Sequence, residues 1–339
     1  MVRVEGIGPK LAAEILAAPK KIDYLGEEKL AADAGVSIIT RNCPDYPNLL
    51  KHIPDPPLVL YVRGQTGVLK EGETGISIVG SRRPTDYGIK MAESLSVSAV
   101  TSDWTTVSGL ALGIDTAVHR ATVEYGGKTI AVLGSGLGRL YPQENLHLAR
   151  NIIEKGAVIS EFPMTFPPDK RSFPMRNRII SGLTYGTVIV EAGLKSGTLI
   201  TANQALDQGR QVFAVPGRAD QPQSRGCHSL LKQGAKLVEN FSDVLEEFNS
   251  ETLFDFQNQN SIGEEDLNQK NKESVLKPVL TLNETEQRIV KFLSQGESTV
   301  DAIVEALKLP IGSLFATLIE METKRLVRPL PGRRYALRG

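Results

Sequence analysis

The chain has 339 residues, enough for two or three domains of which one has a substantial core. Hydrophobic residues make up 41% and charged residues 23%, and no apolar run approaches the about 18 residues of a membrane helix, so a membrane-spanning class is excluded and no membrane partner is expected. The 39 basic and 39 acidic residues cancel, so any nucleic-acid site must come from local clustering and not from the overall field.

Residues 1–57 read as a small helical region. Gly6-Ile7-Gly8-Pro9 followed by Lys10-Leu11-Ala12-Ala13-Glu14-Ile15-Leu16 is a glycine turn entering an amphipathic helix. This matches the second half of a helix-hairpin-helix, or a SAM-like unit, with the first helix missing or incomplete. Asp45-Tyr46-Pro47 and Ile53-Pro54-Asp55-Pro56-Pro57 read as extended connectors, because proline excludes regular helix at and before itself.

From 58 to 249 apolar runs recur at Leu58–Val62, Ile76–Val79, Thr105–Val107, Thr129–Leu133, Val158–Ile159, Val188–Val190 and Val212–Val215. Most are followed by a glycine or a turn and then by helical periodicity. Runs without strict alternation fit strands covered on both faces, so the fold class expected is α/β, a Rossmann-like, doubly wound, mostly parallel sheet. Ligands of such sheets sit beyond the carboxyl ends of the strands, which directs attention to the residues after each run.

Residues 250–280 are rich in Asn, Gln and Glu and read as a flexible linker. From 281 to 339 a compact helical module is expected. Asn283 with Glu286 and Ser298 with Asp301 resemble capping boxes, and Pro310 suits the first turn of a third helix. Leu326-Val327-Arg328 and Arg334-Tyr335-Ala336 flank Pro331-Gly332 as a β-wing, completing a winged helix. Its third helix carries Leu314, Phe315, Leu318, Ile319 and Met321 with Glu320 and Glu322, so protein contact or packing fits it better than duplex DNA. The basic wing residues Arg328, Arg333 and Arg334 keep duplex binding open.

Four stretches bear chemistry. Gly80-Ser81-Arg82-Arg83 follows a strand: the glycine lets backbone approach an anion, the serine offers a hydroxyl and the guanidiniums give bidentate donors. Ser108-Gly109 and Gly113-Ile114-Asp115 repeat this one strand later. Asp115 and His119 share a helix face, either as an acid–base pair or with the carboxylate orienting a helix start. Lys170-Arg171 and Phe173-Pro174-Met175-Arg176-Asn177-Arg178 place four cations and an aromatic within nine residues, a pattern suited to single-stranded nucleic acid. The competing reading makes Phe173 core and pairs the arginines with Glu161 and Glu191. Lys195-Ser196-Gly197-Thr198, between a strand and a helix, sets a cation and hydroxyls beside helix-opening amides, a socket for phosphate.

Other motifs are weak. Gly134-Ser135-Gly136-Leu137-Gly138 departs from a dinucleotide loop in its glycine spacing and lacks a well-placed ribose carboxylate, so no cofactor is expected. Cys227-His228 has no CxxC or HExxH companion, and no metal is expected. Cys43 and Cys227 suggest a reducing compartment, and with no signal-peptide pattern the cytoplasm is the default.

Taken together, GSRR (80–83), SGLALGID (108–115), TIAVLGSGL (129–137), SEFP (160–163), FPMRNRII (173–180), VIVEAGLKSGTLITA (188–202) and VFAVPG (212–217) resemble the DNA-processing protein A (DprA/Smf) family. The resemblance covers roughly 55–245 closely. It implies a non-catalytic Rossmann-like protein that binds single-stranded DNA, usually as a homodimer. Such a protein loads a RecA-type recombinase in natural transformation or recombination, with single-strand-binding protein as a further partner. The DNA-binding residues it implies are Gly80, Ser81, Arg82, Arg83, Ser108, Gly109, Lys170, Phe173, Arg176, Asn177, Arg178, Lys195, Ser196, Gly197 and Thr198. Two departures stand out: Leu112 where the family usually has arginine, and Gly226-Cys227-His228 where it has a small hydroxyl and an amide.

The enzyme alternative is a lysine-decarboxylase-like phosphoribohydrolase, which resembles this chain in its glycine–threonine turn. That group needs a glutamate three residues after the threonine, and Thr201 stands there. A hydroxyl cannot act as a carboxylate base at neutral pH. A third reading makes the tail a duplex-binding regulator.

Overall fold

The computed structural model describes residues 8–21, 23–248, 284–293, 298–307, 314, 317–318, 327–330 and 334–337. They fall into two compact units, 1–262 and 263–339.

The first unit opens with helices α1 (Pro9–Lys21) and α2 (Tyr24–Asp33), strand β1 (Val36–Thr40) and a one-turn helix α3 (Asn48–Lys51). Pro9 occupies the first position of α1, where its missing N–H costs nothing. Asp23 caps α2 by accepting from Gly26 N at 2.9 Å. β2 (Val59–Gly64) and β3 (Gly75–Val79) follow, and from β3 the chain alternates: α4 (Asp86–Thr101), β4 (Thr105–Ser108), α5 (Ile114–Glu124), β5 (Thr129–Val132), α6 (Leu146–Lys155), β6 (Ala157–Ser160), α7 (Ser172–Gly182), β7 (Gly186–Ile189), α8 (Thr198–Asp207), β8 (Gln211–Ala214), α9 (Arg225–Lys232) and β9 (Lys236–Leu237).

These strands form one nine-stranded sheet in the order β1-β2-β6-β5-β4-β3-β7-β8-β9. The seven strands from β3 to β9 are parallel, and β2 and β1 extend the β6 edge antiparallel. All seven apolar runs of the sequence are strands, and β3, β4, β5, β6 and β7 are buried at every position. Helices cover both faces over separate apolar clusters, one built on Leu60, Ile130, Ile159 and Ile189 and another on Ile76, Leu95, Val188 and Phe213. From β3 the chain winds outward through β4, β5 and β6, then returns to lay β7 on the other side of β3. β3 and β7 are therefore the topological switch point, where the two connecting turns diverge and leave a crevice.

Two strands differ from the expectation. β1 lies within the stretch read as helical: Val36 and Ile39 are its buried residues, three apart, a spacing that mimics a helix face. β9 is only two residues long, too short to show a period.

In the second unit, helices Glu284–Leu293 and Val300–Leu307 accompany a three-stranded sheet of β10 (Ser298–Thr299), β12 (Arg334–Leu337) and β11 (Val327–Leu330). β11 and β12 pair antiparallel as the expected wing. The cap of the Val300–Leu307 helix is Thr299 and not Ser298: its hydroxyl accepts from Ala302 N at 3.2 Å, while Ser298 pairs with Tyr335 in the sheet. The linker, Gly6, the Asn283 cap, Pro310, Phe315, Ile319, Glu320, Met321, Glu322 and Arg333 lie outside the described residues.

Candidate functional site

Two stitches hold the switch point together. Glu191, just beyond β7, is buried, and its carboxylate accepts from Thr85 N at 2.9 Å and from the Thr85 hydroxyl at 2.5 Å. Thr85 is the N-cap of α4 and accepts in turn from Gly88 N at 3.2 Å. A Cβ on Gly88 would stand 2.5 Å from the Glu191 carboxyl carbon, so only glycine fits there. The second stitch runs from Ser196 Oγ to Thr198 Oγ1 at 3.0 Å and from Thr198 Oγ1 to Gly80 O at 3.0 Å. The turn after β3 and the turn after β7 thus form one bonded rim.

Above that rim lies a cleft of about 730 Å³. Its lining includes Gly80, Ser81, Arg82, Arg83, Lys170, Phe173, Arg176, Asn177, Ser196, Gly197 and Thr198, so one cavity gathers most of the residues named from the sequence. Four cationic side chains and one carboxylate, Asp115, line it. The local excess of positive charge in a chain of zero net charge is the clustering that polyanion binding requires. Lys195 is exposed and immediately precedes the Ser196–Gly197 part of the lining.

The arginines divide by burial. Arg82 and Arg83 are exposed, and the Arg82 guanidinium lies 5.1 Å from the Phe173 ring centroid. Arg176 is 3% exposed and spans the ends of β4 and β5: Nη1 donates to Gly109 O at 2.6 Å and to Val132 O, and Nε donates to Asn177 Oδ1 at 3.2 Å. Burial pulls its pKa down to about 10, with Asp115 opposing the shift, so it stays charged at neutral pH. Arg178 does not line the cleft: it pairs with Glu161 at 2.6 Å and Asp55 at 3.0 Å. The structural-partner reading thus describes Arg178 with Glu161, whereas Glu191 binds Thr85.

Ser108 is fully buried and donates to Ile78 O at 2.7 Å, outside the cleft lining. Gly109 N donates to Asp115 Oδ2 at 3.2 Å, and Ala111 N to the same oxygen at 3.3 Å. Asp115 therefore orients the loop that opens α5; burial raises its pKa, with Arg176 opposing. His119 does not bond Asp115 but meets Thr129 Oγ1 at 2.8 Å, and burial lowers its pKa to about 3. Gly80 has a packing role as well, since a Cβ there would sit 2.7 Å from Ile114 Cγ1.

The glycine loop after β5 is spent on packing. Gly134 faces the Phe173 ring, where a Cβ would stand 2.7 Å from Cδ1. Gly136 N and Gly138 N donate to Phe166 O at 3.0 Å and Met164 O at 2.9 Å, so neither of these two amides is open to a pyrophosphate. Among the described residues no group of three or more His, Cys, Asp or Glu is placed to hold a metal, and no helix is long and apolar enough to cross a membrane. Cys227 points at Ile189 O and Val190 O, 3.6 and 3.7 Å away, and His228 bonds Gly217, so that departure lies outside the cleft lining.

Sequence reasoning missed Tyr141, whose ring centroid stands 5.8 Å from that of Phe173 and which lines the cleft. The position rule for strand ends could have found it, because it lies in the turn after β5. Ile200 and Thr201 of α8 were also absent from the expected site, and both line it.

Fold and cleft together define a doubly wound α/β protein of the class that receives anionic ligands at the switch point of its sheet. The model of the family described as DNA recombination-mediator protein A matches residues 9–249, and that of the DprA winged helix domain matches 277–333. The chain belongs to the DNA recombination-mediator protein A family, and is by that membership a DNA-processing recombination mediator. It is 34% identical to Protein Smf of Synechocystis over 99% of this chain and 88% of that one, and 44% identical to DNA processing protein DprA of Bacillus subtilis over 63% and 72%. Among solved structures, DNA processing protein A of Streptococcus pneumoniae superposes with a TM-score of 0.65 at 39% identity, covering 69% of this chain and 81% of that one. The Helicobacter pylori protein, described for its single-stranded DNA binding mode, gives 0.57 at 29% identity over 64% and 96%.

Proposed function

We propose that this protein binds single-stranded DNA in the switch-point cleft and, without catalysing a reaction, passes the strand to a RecA-type recombinase in the cytoplasm, acting as a homodimer. The observation that carries the reading is the joining of Arg82, Arg83, Lys170, Phe173 and the Ser196–Thr198 turn around one cleft of about 730 Å³. Exposed guanidiniums and an ammonium neutralise phosphates, and the turn before α8 adds the positive end of a helix. Arg82 over Phe173 makes a composite platform, because bases stack on guanidinium planes as well as on rings. Lys195 and Asn177 complete the proposed contacts. Ser108, Gly109, Arg176 and Arg178 act from behind, by fixing the strand ends and α7.

The phosphoribohydrolase reading is not favoured: Thr201 lines the cleft where that chemistry needs a carboxylate. The test is a titration of labelled oligo-dT over a salt series with the full chain and with Arg82→Ala/Lys170→Ala. Tight, salt-dependent binding that the double variant loses supports the proposal; equal affinity of the two proteins removes it. Added recombinase, with filament growth on coated strands as the readout, tests the loading step.

A further inference from the structure

Two loops that wall one side of the cleft lie backbone on backbone. The loop after β5 carries Tyr141, and the loop after β6 leads into α7 and Phe173. Gly138 N donates to Met164 O at 2.9 Å, and a Cβ on Gly138 would stand 2.8 Å from that oxygen. The other side of Met164 is bonded from outside the α/β frame: Glu27 Oε1, on α2, accepts from Met164 N at 2.7 Å. We infer that Glu27 is a positioning residue for strand binding, setting the aromatic wall of the cleft by clamping the loop after β6 onto the loop after β5. The inference rests on the cleft being a single-strand site and gives the N-terminal helices a part in it.

Three observations carry it. Met164 is 3% exposed, so its N–H and C=O need protein partners; Glu27 supplies the acceptor and Gly138 the donor. A carboxylate that accepts from a backbone N–H makes a charge-assisted bond, about twice as strong as a neutral one. Second, the contact is a packed face and not a lone bond. Ala31 of α2, Tyr61 of β2, Leu137 and Met164 belong to one buried apolar cluster, with Leu140 against it. Burial, and then the Glu27 charge beside it, push the Tyr61 phenol up to about 12, which places that carboxylate against β2 as well. Third, the path to the cleft is short. Gly138 lies in the turn Leu137–Arg139, and Tyr141 follows after Leu140, its ring centroid 5.8 Å from that of Phe173. A further rung ties the same loops: Gly136 N donates to Phe166 O at 3.0 Å, and a Cβ on Gly136 would strike Pro163 O.

The bonds just named involve none of the four cationic side chains of the cleft. Without Glu27 the Met164 N–H loses its acceptor, the loop after β6 lifts, and Tyr141 loses its fixed distance from Phe173. The charge of the cleft is then unchanged, while the surface on which bases stack is no longer in place. That signature differs from the loss of a phosphate contact, which lowers the salt dependence.

The test titrates labelled oligo-dT over a salt series with the full chain and its variants, each shown to be folded by its urea midpoint at Trp104. Glu27→Ala should bind about fivefold more weakly at every salt concentration, with the slope unchanged. Glu27→Asp, which keeps the charge but is one methylene short, should do the same without risk to the fold. Glu27→Gln, which keeps the acceptor at full reach, should recover most of the affinity. In a Tyr141→Ala background Glu27→Ala should cost less than about twofold, because the group it positions is gone. Wild-type affinity of Glu27→Ala and Glu27→Asp, a Glu27→Gln as weak as they are, or a full loss in the Tyr141→Ala background overturns the inference and leaves the cleft's role standing. Absence of binding by the wild type removes both.

Discussion

The guanidinium carbon of Arg82 stands 5.1 Å from the centroid of the Phe173 ring, joining the turn after β3 to the first turn of α7. Neither residue is next to the other in sequence, and the pair forms only because β3 and β5 end at the same edge of the sheet. Arg82→Ala should therefore remove both a charge and half of a stacking surface. The expected result is weaker oligo-dT binding with a salt slope lower by about one. Phe173→Leu should weaken binding with the slope unchanged, since it removes no charge. Anisotropy titrations at several salt concentrations separate the two.

Arg176 is a different kind of arginine. Removing it leaves Asp115 buried without its opposing charge and frees two backbone carbonyls. Arg176→Ala should cost about 3–5 kcal/mol of stability, since two buried carbonyls lose their donor at about 1–3 kcal/mol each. Asp115→Asn in the same chain should recover part of that, a non-additivity readable in urea unfolding followed at Trp104.

Two glycines of the rim should part company. Gly80→Ala drives a methyl into Ile114 and should destabilise by about 1–3 kcal/mol, as overpacked cores do. Gly197 has φ −59° and nothing within 4 Å of a Cβ, so Gly197→Ala should leave the melting temperature unchanged or slightly raised. Its methyl would still stand on the cleft lining and should weaken strand binding, the reverse of the usual coupling between the two measurements.

His119 predicts an acid-side loss of stability. Its folded pKa of about 3 lies below the about 6.5 of an unfolded histidine, so the unfolded chain takes up the proton first. Above about pH 6.5 both states are neutral and the residue contributes no pH dependence. Between about pH 6 and about pH 3 stability should fall by about 1.4 kcal/mol per pH unit from this group alone. Asp115 and Glu161, whose pKa values are raised, act in the opposite sense as pH falls, so the comparison is wild type against His119→Gln. The variant should lose the histidine slope in a series of urea midpoints.

Much of this could be read from the residues. Six of the seven apolar runs of the α/β region are buried at every position, which leaves a continuous apolar signature, while in the first, Leu58–Val62, Leu58 is exposed. The position rule for strand ends pointed to Arg82 and the turn at Ser196, and the clustering of cations with an aromatic to Lys170 and Phe173; all of them line one cleft. Burial and bonding direction were not legible. Nothing in Phe173-Pro174-Met175-Arg176-Asn177-Arg178 says that one arginine turns inward to two carbonyls and the other toward Glu161 and Asp55. Nor does a glycine-rich loop reveal that Gly134 is glycine because a phenyl ring lies against it. Tyr141 was hidden by lying in a turn whose glycines drew attention to themselves.

The carboxylate of Glu191 has a consequence for the energetics of capture. Because it fastens the end of β7 to the start of α4, the two banks of the crevice cannot spread independently. A receptor fastened in this way leaves more of the entropy of ordering to fall on the flexible polymer than on the protein.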